Sequence, residues 1–349
     1  MGRLLFFLAL CGVIGLSGAM FYTSWSKQGG SFSQFANVER DASRIPAPPI
    51  GKCINMGGAL EAPEEGDWGY SIREADFKRL KNAGFDSVRI PIRWSEHTKN
   101  KPPFTVRRYI FKRIDEVVEQ ALRNDLKVII NVHHYEEISE DAETHLPRLY
   151  EMWDQIIDRY KDTPDAVMFE FLNEPHTSMT AARVNEMNRV LLEKVRAVNP
   201  DRWVVLGGGH WGTLEGLTST NPPFDEKAMV TFHYYSPFEF THQGAPWAHK
   251  EIEMGQTWGS QDDRKRMVRD FSDAAHWRDK VGMPMLLGEF GVYVKVPDQQ
   301  RAEWTEKVRK TAEEVGFGWC YWDYATSLGI YDLEVEHFKP GMVEALMAD

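Results

Sequence analysis

The chain has 349 residues, of which 42% are hydrophobic and 27% charged, and this composition excludes a disordered chain and a collagen-like fibre. The formal net charge of -11 repels phosphate backbones, so we expect no nucleic-acid partner, whereas a neutral polymer is not excluded.

The first 48 residues lie outside the globular pattern. Arg3 precedes an apolar run over residues 4–22, which predicts a signal peptide at 1–23 with a cleavage point after Ala19. The run is also long enough to span a bilayer, so an uncleaved membrane anchor is the alternative. Residues 24–48 are polar, end in a proline-rich stretch and predict a linker. We therefore expect an exported protein, secreted or periplasmic, with one folded domain over 49–349.

From residue 49 onward, short apolar runs alternate with longer amphipathic segments. The apolar runs predict eight strands, at 52–57, 86–91, 127–133, 167–173, 203–208, 229–234, 285–290 and 317–322. The amphipathic segments predict eight helices, near 72–83, 109–124, 146–161, 179–198, 213–218, 260–281, 299–315 and 338–347. Gly84 and Gly316 follow two of these helices and indicate their ends. Strict alternation implies a parallel sheet, and eight such units favour a closed (β/α)8 TIM barrel over an open doubly wound sheet.

Two cysteines, Cys53 and Cys320, fall in the predicted domain. In an exported protein they could pair. We expect instead two buried thiols, since free cysteine often behaves as a small core residue.

Polar, titratable and aromatic residues gather where the predicted strands end. In a barrel of this kind, working residues lie at the C-terminal ends of the strands. The residues at these ends are Arg89 (second strand), His133 and His134 (third), Asn173 and Glu174 (fourth), His233 and Tyr235 (sixth), Glu289 (seventh) and Trp322 (eighth).

Glu174 and Glu289 carry the chemistry that this pattern indicates. Cleavage of a glycosidic bond needs two carboxyl groups with unlike roles, and their separation decides between retention and inversion. Either glutamate alone could be a surface or capping carboxylate. Glu289, however, follows an apolar run, where a buried carboxylate needs a hydrogen-bond or ion-pair partner or a catalytic function. Glu170 has the strand parity of a deeper, structural carboxylate, which we expect to pair with Arg89.

Other sites compete for the same residues. The histidines at strand ends could bind a metal, but their spacing matches no zinc motif; they are His133, His134, His210 and His233. Residues 207–212 fit G-x-G-x-x-G, but this unit is the fifth in the chain and no acidic residue lies at the expected offset. We therefore expect no metal and no cofactor.

The tryptophans divide by position. Trp153, Trp277 and Trp304 fall in helix patterns and are expected to pack in the core. Five tryptophans follow strand ends, and they are Trp94, Trp211, Trp247, Trp258 and Trp322. We expect about half of these to contact substrate, since aromatic rings also serve simply to bury apolar area.

The domain resembles family 5 of the glycoside hydrolases, the cellulase-type family, from Ile54 to the end of the chain. The resemblance rests on short motifs, each at its own strand end, together with residues 59–63 and 237–245, which look like the bacterial endoglucanase branch. The motifs are Val88-Arg89-Ile90-Pro91, Asn131-Val132-His133-His134, Phe171-Leu172-Asn173-Glu174-Pro175, His233-Tyr234-Tyr235 and Gly288-Glu289-Phe290-Gly291.

This resemblance implies a role for each matching residue. Glu174 would be the general acid/base and Glu289 the nucleophile, held ionised by Arg89 and hydrogen-bonded by Tyr235. Asn173 would bind the sugar 2-hydroxyl. Three histidines would orient sugar hydroxyls or Glu174, and they are His133, His134 and His233. Trp322 would stack on the sugar at the cleavage point. Trp247 and Glu61 would line flanking subsites.

One position departs from the family pattern. Related sequences usually carry Asn before the Ala-Leu-Glu stretch, where this chain has Gly58. The loss would remove a contact to a sugar away from the bond being cut. The resemblance implies a retaining endo-β-1,4-glucanase acting on a β-linked polysaccharide, with mannan or glucomannan as the alternative substrate. A non-catalytic carbohydrate-binding envelope protein is the alternative of another class. We expect a monomer.

Overall fold

The structure is a computed structural model that describes residues 45–248 and 251–348. The predicted signal peptide or anchor at 1–23, and all but the end of the predicted linker at 24–48, lie outside these ranges. Within them, no helix combines the length and the apolar composition that a bilayer crossing requires.

Eight parallel strands form one closed barrel in sequence order, with the first strand paired to the last. They are β1 Lys52–Asn55, β2 Ser87–Ile90, β3 Lys127–Asn131, β4 Val167–Glu170, β5 Val204–Gly207, β6 Ala228–His233, β7 Met285–Glu289 and β8 Gly318–Tyr321. A separate antiparallel pair, β9 Tyr331–Asp332 and β10 His337–Phe338, follows the last barrel strand. The predicted (β/α)8 barrel is confirmed.

Helices follow the strands along the chain. They are α1 Glu74–Ala83, α2 Arg108–Arg123, α3 Glu136–Glu140, α4 Ala142–Tyr160, α5 Ala181–Val198, α6 Leu214–Thr218, α7 Phe238–Thr241, α8 Gln261–Val281, α9 Asp298–Glu314 and α10 Met342–Met347. The eight predicted helices are present, and the short α3 and α7 in loops above the barrel were not predicted. As expected, Gly84 takes a left-handed conformation, φ 102°, and closes α1.

The longest helix shows how local sequence sets its bounds. At the start of α8, the Ser260 side chain accepts a hydrogen bond from the Asp263 backbone N–H, and the Asp263 side chain bonds back to the Ser260 N–H. At its end, Gly282 adopts φ 73°, which a residue with a side chain rarely does. Both ends are therefore capped, and α8 runs without interruption between them.

The barrel interior is built in layers. The lowest is an apolar cluster of Ile50, Cys53, Ile129, Met168, Val205, Met229, Leu286 and Cys320. Two residues further along four of the same strands, the inward positions become polar and stay buried, at Asn55, Asn131, Glu170 and Thr231. The buried Arg89 of β2 belongs to the same polar layer. A much larger apolar cluster, which includes side chains of the helices, surrounds the barrel. The polar layer therefore forms the floor of the barrel mouth.

The expectation of two free thiols is wrong. Cys53 and Cys320 are both fully buried, as expected, but their sulfur atoms are bonded to each other. The two residues lie directly opposite one another in the β1–β8 pair. Because β1 and β8 close the barrel, this disulfide covalently joins its first and last strands.

Candidate active site

Glu174 lies in the loop that follows β4, four residues beyond its last residue. Its backbone has φ 44°, a left-handed conformation that a non-glycine residue adopts at a cost. Asn173 is anchored just before it, since its backbone N–H donates to the carbonyl of Val132, 2.9 Å away. The Glu174 side chain is 30% exposed, so it faces the open mouth of the barrel.

Glu289, the last residue of β7, is directed by an irregularity in the sheet. The β6–β7 register shifts between Phe232 and His233, so that His233 pairs with Glu289. A bulge of this kind redirects a side chain. The neighbouring Gly288 must lack a side chain, because a Cβ atom there would lie 2.5 Å from Thr231 Oγ1. Glu289 is consequently 4% exposed and turned into the site.

Two side chains donate hydrogen bonds to the Glu289 carboxylate. Arg89 Nη1 lies 2.8 Å from Oε1, and the Tyr235 hydroxyl lies 2.9 Å from Oε2. Arg89 is itself fully buried, and it donates to both oxygens of Glu170 at 2.6 and 2.7 Å. It also donates to Asn173 Oδ1 at 2.7 Å, so one guanidinium ties the nucleophile candidate to the β4 end. The ion pair expected between Arg89 and Glu170 is present.

His233 lies between the two glutamates. Its Nδ1 atom is 2.7 Å from Glu174 Oε1 and 3.6 Å from Glu289 Oε2. Burial acts to lower the pKa of His233, but the charges of Glu289 and Glu174 and the hydrogen bond to Glu174 outweigh it, so that its pKa is raised. The imidazole therefore retains its proton at neutral pH more readily than an exposed histidine.

The two carboxylates respond to this environment in opposite directions. Burial acts to raise the pKa of Glu174, but the hydrogen bond and charge of His233 outweigh it, and its pKa is lowered. Burial raises the pKa of Glu289, and the charge of Glu174 adds to that rise against the opposing charges of His233 and Arg89. The hydrogen bond between Glu174 and His233 therefore favours a proton stored on His233, next to an ionised Glu174 and beside Glu289.

The same three side chains could in principle hold a cation. One donor atom from each of Glu174, His233 and Glu289 lies within 4.8 Å of the others. A protonated imidazole has no free lone pair at Nδ1, however, and Arg89 already neutralises Glu289. This donor set suits a proton-transfer site better than a metal site.

His133 and Trp322 form the wall of the mouth beside this group. Their rings stack with centroids 5.4 Å apart and an interplanar angle of 14°. Burial lowers the pKa of His133 well below its ordinary value, helped by the charges of His134 and Arg89, so His133 stays neutral. His134 is half-buried and meets the edge of Trp68, whose ring is 47% exposed. This wall thus offers ring surface at the mouth of the barrel.

Trp247 lies away from this network. It belongs to the loop between α7 and α8, is 47% exposed and meets the edge of Tyr293 at 4.9 Å. Gln243 secures the loop, because its buried amide donates to the carbonyls of Phe240 and Gln256 and accepts from the backbone N–H of Gln256. Trp247 is therefore available as a platform, on a loop that Gln243 helps to hold.

Glu61 is not part of the exposed site. It is fully buried, and its carboxylate accepts hydrogen bonds from the backbone N–H groups of Gly58 and Ala59. Burial raises its pKa to about 7, against the effect of those hydrogen bonds. Its expected contact with a flanking sugar stays a prediction.

The tryptophan expectations divide in the same way. Trp153 and Trp304 are fully buried, and Trp277 packs on the core, as expected. The expectation that Trp94 could line the cleft is wrong, because it is fully buried and its indole N–H donates to the carbonyl of Asn131. Trp211 is 43% exposed, and its ring stacks on that of His176, beside Glu174, at 4.7 Å.

Several residues of the site were not identified from the sequence. Asn55 accepts a hydrogen bond from Arg89 Nη1 at 2.7 Å and donates to the carbonyl of Gly288 at 3.1 Å. An asparagine at an inward position of an apolar strand was the available signal. Trp68 and Gln243 lie in long loops, and no periodic pattern distinguished them.

Comparison with known proteins gives one consistent result. The family model for cellulase (glycosyl hydrolase family 5) matches residues 52–327. Endoglucanase H of Acetivibrio thermocellus is 34% identical over 303 residues, which cover 85% of this chain and 33% of that protein. This chain thus spans about a third of the length of endoglucanase H.

Solved structures agree with the sequence match. Thermotoga maritima Cel5A in complex with cellobiose superposes with a TM-score of 0.84 at 41% identity, covering 85% of this chain and 97% of that one. Cel5A of the same organism in complex with mannotriose gives a TM-score of 0.83 at 41% identity, with the same coverage of both chains.

Proposed function

The chain belongs to the cellulase family, glycosyl hydrolase family 5, and on this premise we propose that it is a retaining endo-β-1,4-glucanase with Glu174 as general acid/base and Glu289 as nucleophile. The observation that carries this proposal is the approach of the two carboxylates, of which one oxygen each lies within 4.8 Å. Retaining enzymes need about 5–5.5 Å, whereas an inverting enzyme needs about 6.5–9.5 Å to admit a water molecule.

The hydrogen-bond donors support this division of roles. Arg89 and Tyr235 donate to the ionised form of Glu289, which is the form that attacks a sugar. Glu174 instead shares a proton with His233 and faces the open mouth, where a leaving group would lie. The acid and the nucleophile thus differ in partners as well as in exposure.

The first step follows from these contacts. A carboxylate oxygen of Glu289 bonds to the anomeric carbon, and the bond from that carbon to the leaving oxygen breaks with its electron pair on the oxygen. Glu174 donates the proton that the leaving oxygen takes up. As the Glu289 charge is consumed, the largest factor that raises the His233 pKa is lost, so the stored proton moves toward Glu174.

In the second step Glu174, now ionised, takes a proton from water. The water oxygen bonds to the anomeric carbon as the bond to Glu289 breaks, and Glu289 returns as a carboxylate. Two inversions at one carbon give net retention. Asn173, whose Oδ1 is held by Arg89, would bind the 2-hydroxyl with its free amide N–H group.

The position of the 2-hydroxyl also defines the main alternative substrate. Glucose and mannose differ in the orientation of this one group, and the similar Thermotoga maritima Cel5A has been solved both with cellobiose and with mannotriose. Mannan or glucomannan is therefore the second candidate substrate. Initial rates on carboxymethylcellulose, barley β-glucan, glucomannan and mannan, at equal mass, decide between them.

The catalytic proposal is tested with Glu174→Gln and Glu289→Gln, and Glu193→Gln on the outer face of α5 serves as the control. We expect each active-site change to lower kcat by about 10³-fold or more and the control to retain activity. NMR of the first-formed anomer should show retention. Wild-type activity in both variants, or an inverted first product, would overturn the proposal, and sugar binding without turnover by the wild type would favour a binding protein.

We also propose that the protein is exported. Arg3 and the apolar run over residues 4–22 support this, and so does the disulfide between Cys53 and Cys320, since structural disulfides persist in oxidising compartments. N-terminal sequencing of the mature protein distinguishes cleavage after Ala19 from an uncleaved anchor. Sedimentation analysis of the same material tests the expected monomer.

A further inference from the structure

Gly58 and Thr326 compete for one space at the rim of the mouth. Gly58 has a left-handed backbone, φ 78°, which asparagine tolerates better than most residues. A Cβ atom at this position would nevertheless lie 2.2 Å from Thr326 Cγ2, 2.8 Å from Oγ1 and 2.9 Å from Cβ. The Thr326 side chain therefore fills the place that a side chain at position 58 would need.

The Thr326 side chain is fixed rather than free. Its hydroxyl donates to Asp323 Oδ2 at 2.9 Å, and its backbone N–H donates to Asp323 Oδ1 at 2.7 Å. Asp323 is fully buried and also accepts from the Leu328 backbone N–H. A hydroxyl carries one proton, and Thr326 donates this proton to Asp323. Thr326 Oγ1 can therefore only accept a hydrogen bond from any other partner.

This pair lies next to Trp322, the ring that the family resemblance assigns to the sugar at the cleavage point. Gly57 lies beneath Trp322, since a Cβ atom there would be 2.9 Å from indole Cζ2. Thr326 follows Trp322 by four residues and is partly exposed. The loop after β8 that carries both residues lies on the opposite side of the barrel from the end of β4, where Glu174 stands. A sugar next to Trp322 on the side away from the leaving group would thus lie beside Thr326.

We propose that Thr326 is a specificity-determining residue. Its hydroxyl accepts a hydrogen bond from the second sugar, which follows the sugar at Trp322 on the side away from the leaving group. In this role the Thr326 side chain replaces a side chain at position 58. The inference rests on the proposed function. It explains why position 58 is glycine in this chain. It also predicts that a larger residue is tolerated at position 58 only when Thr326 is replaced by a smaller one.

The first test separates the hydroxyl from the shape of the side chain. Thr326→Val keeps the shape and removes the acceptor, whereas Thr326→Ser keeps the acceptor. We expect Thr326→Val to raise KM about tenfold on p-nitrophenyl cellobioside and cellotrioside, with kcat unchanged, as the loss of one hydrogen bond predicts. The p-nitrophenyl glucoside, which lacks the second sugar, should be unaffected, and Thr326→Ser should behave as the wild type.

The second test examines the exchange itself. Gly58→Asn should lower the Tm clearly, and Thr326→Gly should restore much of that loss when the two are combined. Gly69→Asn is the matched control, since Gly69 has φ 83° and no atom within 4 Å of its Cβ position. It should lower the Tm much less than Gly58→Asn does.

These outcomes separate the two proposals. If the wild type cleaves cellooligosaccharides but Thr326→Val keeps its KM on the cellobioside, the role of Thr326 is wrong and the hydrolase stands. Equal Tm losses for Gly58→Asn with and without Thr326→Gly would refute the competition for space. If the wild type hydrolyses no glycoside, the proposed function fails and the specificity role fails with it.

Discussion

A single imidazole joins the two catalytic candidates, since His233 Nδ1 lies 2.7 Å from Glu174 Oε1 and 3.6 Å from Glu289 Oε2. The register shift at the end of β6 pairs His233 with Glu289 in the sheet, and this pairing brings the ring between the two carboxylates. Under the proposed mechanism, the proton that the leaving group takes up is therefore stored on a residue that also responds to the charge of the nucleophile.

The first prediction concerns this stored proton. His233→Asn keeps a hydrogen-bond donor near the position of Nδ1 but cannot carry a charge. The pKa of His233 is raised, so the wild type holds this proton to a higher pH than an ordinary histidine does. We expect kcat to fall by about 10²-fold in the variant, and the alkaline limb of kcat/KM against pH to move to lower pH. An alkaline limb that stays in place in the variant would contradict this role.

Arg89 provides the second prediction. Arg89→Lys removes the fork that reaches Glu289, Glu170 and Asn173 from a fully buried position. We expect a loss of about 3–5 kcal/mol in the free energy of unfolding. Lysine keeps the positive charge but loses the fork, so the Glu289 carboxylate loses its hydrogen bond from Arg89 Nη1. The pKa of Glu289 should therefore rise further, and the acid limb of kcat/KM should move to higher pH.

A buried arginine outside the site controls for this loss of stability. Arg301 is also fully buried, and it donates to the backbone carbonyls of Val292, Leu328 and Gly329. Arg301→Lys should destabilise the fold and leave the acid limb unchanged. If both variants shift the limb equally, the effect of Arg89 on Glu289 is structural rather than electrostatic.

The fold could be predicted from the sequence because its signals repeat. Each of the eight strands lies at a predicted apolar run, and the ends of α1 and α8 follow from a glycine and a capping box. The predicted third strand extends to residue 133, whereas β3 ends at Asn131. The apolar residue Val132 beyond Asn131 continues the pattern of the strand and hides its end in the sequence.

The orientation of Glu289 could not be predicted in this way. Leu286 points into the barrel and Leu287 into the surrounding core, so strict alternation would turn Glu289 outward. The bulge beside Gly288 reverses this, and a bulge leaves no periodic signal in a single sequence. The disulfide was missed for a related reason, since the facing of Cys53 and Cys320 depends on how the first and last strands close the barrel.

The disulfide gives the third prediction. Replacing Cys53 and Cys320 together by Ala should lower the free energy of unfolding by about 3–5 kcal/mol, because the bond closes a loop of 267 residues in the unfolded chain. The kcat should not change, since the pair lies in the layer beneath Asn55. Urea unfolding with and without reductant measures the effect.

Met229→Ala controls for lost packing in the same apolar layer. It should cost about 2–5 kcal/mol through a cavity but remain sensitive to reductant, whereas the double cysteine variant should not respond to reductant. Wild-type protein whose unfolding is the same in reductant would show that the bond does not form.

The fourth prediction concerns acid stability and His242. This ring is 7% exposed, stacks on Phe238 at 4.0 Å and meets the edge of Tyr235 at 5.0 Å. Burial lowers its pKa to about 4, against an unfolded value near 6.5. A lowered pKa in the folded state means that the stability is present above pH 6.5 and is lost as the pH falls toward 4. His242 should thus remove on the order of 3 kcal/mol over this interval.

His242→Gln, which stays neutral, isolates this contribution from that of His133, whose lowered pKa acts in the same direction. The variant will lose ring packing at neutral pH, but its free energy of unfolding should then fall less steeply on acidification than that of the wild type. His276→Gln, on the exposed face of α8, controls for the removal of a histidine and should keep the wild-type slope. Parallel curves for the wild type and His242→Gln would mean that the buried ring does not limit acid stability, and that the acid response arises at His133 or elsewhere in the barrel mouth.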